Sequence, residues 1–85
     1  MLPIPKSIED KMIERMEHAD AEHGVFVDRA HFIGALLEEF NEVQYDAVQN
    51  MDIVPEVLDM VVVGLRYLLQ RHDAVRSDKY VNKKG

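Results

Sequence analysis

Residues 54–72 constrain the fold of this chain more than any other stretch. Leu58, Val61, Val62, Leu65, Leu68 and Leu69 recur there at helical spacing, the pattern of a helix that buries one face. Met60-Val61-Val62-Val63 alone is rich in β-branched residues and suits a strand. The longer pattern overrides it, and Pro55 fits a first helical turn, where its missing N–H costs little. The middle of this helix is apolar on nearly every side, so it needs cover on more than one face. An 85-residue chain has few other elements to supply that cover, and a partner subunit is expected.

Two more helices precede it. Pro3 and Pro5 hold the first residues extended. Ser7 and Asp10 then have the spacing of a capping box, with Ser7 as N-cap. Ile8, Met12, Met16, Ala19 and His23 share a face, and Gly24 is suited to end the helix, which spans 8–23. Val25-Phe26-Val27 is a connector. Asp28 is the next N-cap, with Val27 and Phe32 spaced as a hydrophobic staple. Phe32, Ile33, Leu36, Leu37, Phe40, Val43 and Ala47 form one stripe, so a second helix is expected over 29–49, about 30 Å long. Asn50-Met51-Asp52 breaks the pattern. The expectation is an all-α bundle of three main helices over 1–76, completed by oligomerisation. A short fourth helical segment or a frayed end is expected after Asp73, and a basic, mobile tail over 77–85.

Charge and residue content then remove whole classes of function. There is no Cys, which excludes a disulfide scaffold, a thiolate zinc site and a cysteine nucleophile. The longest apolar run, Met60 to Leu65, has six residues and is far short of a membrane span. The first residues carry no signal-peptide core, so a cytoplasmic location and no membrane partner are expected. Residues 1–65 hold 4 basic and 14 acidic side chains, a net of −10. Duplex nucleic-acid binders normally present a basic face, and no stable nucleic-acid binding is expected. Such a body suits cation binding; a solvated acidic surface is the plainer alternative.

The acids are ordered. The second helix carries Glu38-Glu39-Phe40-Asn41-Glu42, and the third carries Glu56-Val57-Leu58-Asp59. Residues three apart are neighbours on a helix surface, so Glu39 with Glu42, and Glu56 with Asp59, can each address one point. If the two helices pack antiparallel, the four can converge. All-oxygen ligation suits Mg²⁺ or Mn²⁺ better than zinc. Glu39 falls beside the apolar stripe, Glu42 lies further round and Glu38 beyond it. Carboxylates crowded there without a cation repel one another, and their pKa values rise.

At these residues the chain resembles the MazG-like all-α nucleoside triphosphate pyrophosphohydrolases, whose hallmark is E-E-x-x-E followed after a linker by E-x-x-D. Both half-motifs are complete here, Leu36-Leu37 and Val57-Leu58 flank them as in the family, and the likeness covers 32–69. It implies Mg²⁺-dependent hydrolysis of a nucleoside triphosphate, often a deoxynucleotide, to the monophosphate and pyrophosphate. It also implies a role in cleansing the nucleotide pool, and a dimer or tetramer whose subunits complete each other's pockets. Carried onto this chain, Glu39, Glu42, Glu56 and Asp59 would be metal ligands. Glu38 would be a catalytic carboxylate of the outer layer or would help orient the water.

Other candidates are weaker. Arg66 lies two turns beyond Asp59 on one face and suits a phosphate; an ion pair serves equally well. Lys79 and Tyr80, with Lys83 and Lys84, are placed to fold over a bound nucleotide or to solubilise the tail. His23 suits a helix end, where the dipole favours it. His18 and His31 fit no zinc pattern. Phe32 and Phe40 are read as core, and Phe26 is the more open case for stacking on a base. Asn41 and Tyr45 are exposed or face a partner. The rival readings are a non-catalytic metal- or nucleotide-binding module and a structural helical oligomer.

Overall fold

The computed structural model describes residues 3–72. Three helices follow one another: α1 (Lys6–His23), α2 (Arg29–Val48) and α3 (Val54–Gln70). No strand occurs among the described residues, so this is a small all-α bundle. None of its helices is long and apolar enough to cross a membrane. The tail beyond 72, including Lys79 and Tyr80 and any fourth helical segment, lies outside the described residues.

Each helix begins and ends for a local reason. α1 starts two residues earlier than a Ser7 cap requires. Pro5 is the N-cap and no side chain caps this end. The Pro5 carbonyl accepts from the N–H of Ile8 and of Glu9, each at 3.1 Å, and proline's fixed φ already suits a helix entrance. Ser7 therefore lies inside the helix. Gly24 ends α1 at φ 71°, its N–H donating to the Asp20 carbonyl; a side chain would strain that backbone. The Asp28 carboxylate caps α2 by accepting from the His31 N–H at 2.8 Å. α3 has Pro in its first turn as expected, and Asp52 accepts from the Val54 N–H at 3.0 Å.

Contacts between helices set their directions. Phe32 near the start of α2 stacks on Tyr67 near the end of α3, centroids 4.1 Å apart. Asp46 near the end of α2 meets Glu56 at the start of α3. These two helices are antiparallel. Arg15 pairs with Asp59, and further along Asp20 pairs with Arg66, so α1 runs parallel to α3. The order is up-down-up with α3 in the middle: among the described residues α1 and α2 each pack on α3 and not on each other.

The core is small. Phe26, Val62 and Val63 are its buried apolar side chains among the described residues, and Arg66 is buried with them at 7 % exposure. The staple residue is Phe26, not Val27. Phe26 sets its ring edge against Phe32 at 5.5 Å, while Val27 is 82 % exposed. The α2 stripe also divides: Phe32, Leu36 and Val43 are half-buried, whereas Ile33, Leu37 and Phe40 are exposed. Phe40 is thus not a core residue of the single chain. Phe26, the candidate for base stacking, is the most enclosed aromatic among the described residues.

Arg66 is the anchor between α1 and α3. Its Nε donates to Asp20 at 2.7 Å, its Nη2 donates to the Gly24 carbonyl, and its guanidinium lies 4.8 Å above the Phe26 ring. Gln70 completes the joint, accepting from the Phe26 N–H at 2.9 Å and donating to its carbonyl at 2.7 Å. Replacing Arg66 removes hydrogen bonds to a charged group as well as stem packing. Arg66→Ala is expected to cost about 2–3 kcal/mol in urea unfolding. A loss under about 0.5 kcal/mol, the range of ordinary surface changes, would refute the anchor.

Candidate functional site

The antiparallel pairing of α2 and α3 gathers the acidic half-motifs on one side of the bundle. Glu38, Glu39, Glu42, Glu56 and Asp59 are close enough to repel: the other four all act on the Glu39 carboxyl. Glu39 is half-buried, as its place beside the stripe implies, and Glu38 and Glu42 are exposed. Burial, then the charges of Glu42, Asp59, Glu38 and Glu56, push its pKa up from 4.5 to about 7. Glu56 is raised as well, first by a hydrogen bond with Asp46 and then by burial and the charges of Asp46, Asp59 and Glu42. Upward shifts are the expected result of carboxylates collected without a cation.

The cluster spans two hollows. Glu39 and Asp59 line a cleft of about 250 Å³ between α1 and α2, floored by Val62 and Val63, with Arg15, His18 and His23 on its α1 side. Glu38, Glu42, Asp46 and Glu56 line another of about 360 Å³ with Asn41 and Tyr45. This division matches a further fact: no three Asp, Glu or His side chains among the described residues stand where they could hold one ion. The donor set fits a hard divalent cation in kind, being all carboxylate and negatively charged.

Two members of the site escaped the sequence reading. Asp46 follows Glu42 by four residues and Glu39 by seven, so it extends the same helix face. Arg15 lies three residues after Met12 and four before Ala19, a lone cation on the apolar side of α1. It forms an ion pair with Asp59, and it supplies the cluster's ion pair among the described residues.

The remaining candidates sit elsewhere. Arg66 turns its donors to Asp20 and Gly24, so the ion-pair alternative describes it. The exposed His23 places Nε2 3.0 Å from Glu22. His31 Nδ1 accepts from the Val27 N–H at 3.0 Å, and its ring meets the Phe26 ring at 5.4 Å. Both His23 and His31, with Phe26, Gly34, Glu38 and Glu39, line a hollow of about 380 Å³. No family model matches the chain, and no curated protein or solved structure does either.

Glu39 makes stability depend on pH with a definite sign. Its folded pKa lies above the unfolded one, so the folded chain holds a proton that the unfolded chain releases. Stability is therefore expected to fall as pH rises from 4.5 to about 7. Glu39→Gln should raise stability by about 1 kcal/mol near pH 8 in metal-free buffer and by little near pH 4.5. Thermal melts at the two pH values check this; equal effects of the substitution at both would contradict it.

Proposed function

We propose that this chain is a divalent-metal-dependent nucleoside triphosphate pyrophosphohydrolase that cleaves a (d)NTP to the monophosphate and pyrophosphate. The observation that carries the reading is that Glu38 and Glu42 on α2 and Glu56 and Asp59 on α3 all lie near enough to Glu39 for their charges to act on its carboxyl. Their order and spacing are those of the MazG-like motif pair. Glu39, Glu42, Glu56 and Asp59 would hold Mg²⁺ or Mn²⁺. When bound, the ion supplies charge neutralisation on phosphoryl oxygens and acidifies a water. The chain's own residues concentrate negative charge beside an open cleft. Glu38 adds a carboxylate at the rim to orient a water or accept its proton.

The proposed enzyme is a homo-oligomer. Ile33, Leu37 and Phe40 on α2 and Val61, Leu68 and Leu69 on α3 are exposed in the single chain. Apolar exposure on this scale is typical of an association surface. Nucleotide binding without turnover is the second reading.

Pyrophosphate release from a panel of dNTPs and NTPs, with and without Mg²⁺, tests the proposal. Metal-dependent release is expected, abolished in Glu39→Ala and in Asp59→Ala while circular dichroism shows the helices intact. Release that survives both substitutions would remove these residues from the site. Binding in Mg²⁺ without release would favour the second reading.

A further inference from the structure

The α2–α3 hairpin has a second face, turned away from the acids, and it is apolar. On α3, Glu56 and Tyr67 meet α2, while Asp59 and Arg66 meet α1. At about 100° per residue, Val54, Val57, Val61, Gly64, Leu65 and Leu68 fall on the side of α3 that is left. On α2, Ile33, Leu37 and Phe40 lie across the Phe32–Leu36 line from Glu39, next to that stripe. No Asp or Glu of either helix falls on this side. All of these residues but Gly64 and Leu65 are exposed. Together they hold on the order of 600 Å² of apolar surface, close to the ~800 Å² that each partner gives to a stable interface. Gly64 is mid-stripe, with open space where a Cβ would stand, so another helix can come close there.

A twofold interface sets a patch against its own copy. In a chain whose residues 1–65 carry a net charge of −10, that arrangement repels on the acidic side and not on this one. The single chain also lacks core, with Phe26, Val62 and Val63 as its buried apolar side chains among the described residues. Small chains commonly make up such a deficit by association with themselves. We propose that a second copy docks on this face about a twofold axis, so that two α2–α3 hairpins form a four-helix core. Each α1 and each acidic cluster then faces outward, and each cluster is built from one chain alone. This departs from pockets completed by a neighbouring subunit, which the family resemblance implies. The inference rests on the homo-oligomer proposed above and fixes its face; it assumes nothing about the reaction.

The test uses the full chain without nucleotide or metal, so its failure is distinct from that of the enzyme reading. Sedimentation equilibrium is expected to give twice the 9.8 kDa of one chain. Leu37→Glu and Val61→Glu should give the mass of one chain, and Ile13→Glu, on the exposed side of α1, should leave the mass unchanged. Where the Glu variants lose their helices, Leu37→Ala keeps helix propensity. It should weaken association at least about tenfold, since both copies lose a buried side chain. The chain has no Cys, so Glu42→Cys carries one spin label per chain. The two labels of a dimer should stand more than about 20 Å apart, two helix diameters. A wild type that stays a single chain at every concentration overturns the interface, and residues 73–85 or another protein would then cover the face. A two-chain mass that Leu37→Ala, Leu37→Glu and Val61→Glu all leave intact moves the interface elsewhere and overturns the proposal. Glu42 labels closer than about 20 Å overturn the outward placement of the acids.

Discussion

One buried guanidinium joins the first helix to the rest of this chain. With Phe26, Val62 and Val63 as the buried apolar side chains among the described residues, there is little hydrophobic area to position α1 by packing alone. Arg66 makes up the difference in three directions, toward a carboxylate, a backbone carbonyl and an aromatic face. Its partner Asp20 is largely exposed, so part of the pair stays in water and the full desolvation cost of a buried pair is avoided. Where Arg66 holds α1, α1 brings Arg15 and the histidines to the cleft.

The acidic cluster runs against stability. Drawing Glu39 partly out of water and crowding carboxylates from two helices around it raises the free energy of the folded chain, and the elevated pKa of Glu39 registers that cost. A surface evolved only for solubility would spread such charges apart. Here they lie along one helix seam, with Glu39 at the edge of the apolar stripe and drawn partly out of water. Local destabilisation of this kind is what functional sites commonly carry. Under the proposed function, a bound divalent cation would offset it.

Much of this arrangement was legible in the residues. Helical spacing around Leu58 and Val62 located α3 despite its β-branched centre, and Asp28 and Gly24 marked helix ends correctly. The two half-motifs were legible, but their meeting hung on antiparallel packing, which the residues left open; the upward shift of crowded carboxylates followed from that packing and is seen at Glu39. What the residues concealed depends on depth and on partners distant in sequence. Phe26 and Val27 are adjacent, equally apolar and both in a connector; only the position of Arg66 and Phe32 decides that Phe26 turns inward. Ser7 has every local feature of a cap, but Pro5 was already able to start the helix. Arg15 meets Asp59 across 44 residues, a separation that no local pattern records.

The lack of contact between α1 and α2 divides the chain's folding into unequal steps. α2 and α3 are joined by a short connection and meet as a helical hairpin of low contact order, which favours early formation. α1 must close loops of more than 40 residues to reach Asp59 and Arg66, and loop-closure entropy delays contacts of that range. The α2–α3 hairpin is therefore expected to form first and α1 to dock late. In kinetic terms, lesions in the α1 joint act on the unfolding rate, while lesions in the α2–α3 seam act on refolding. The first helix is then also the first to leave.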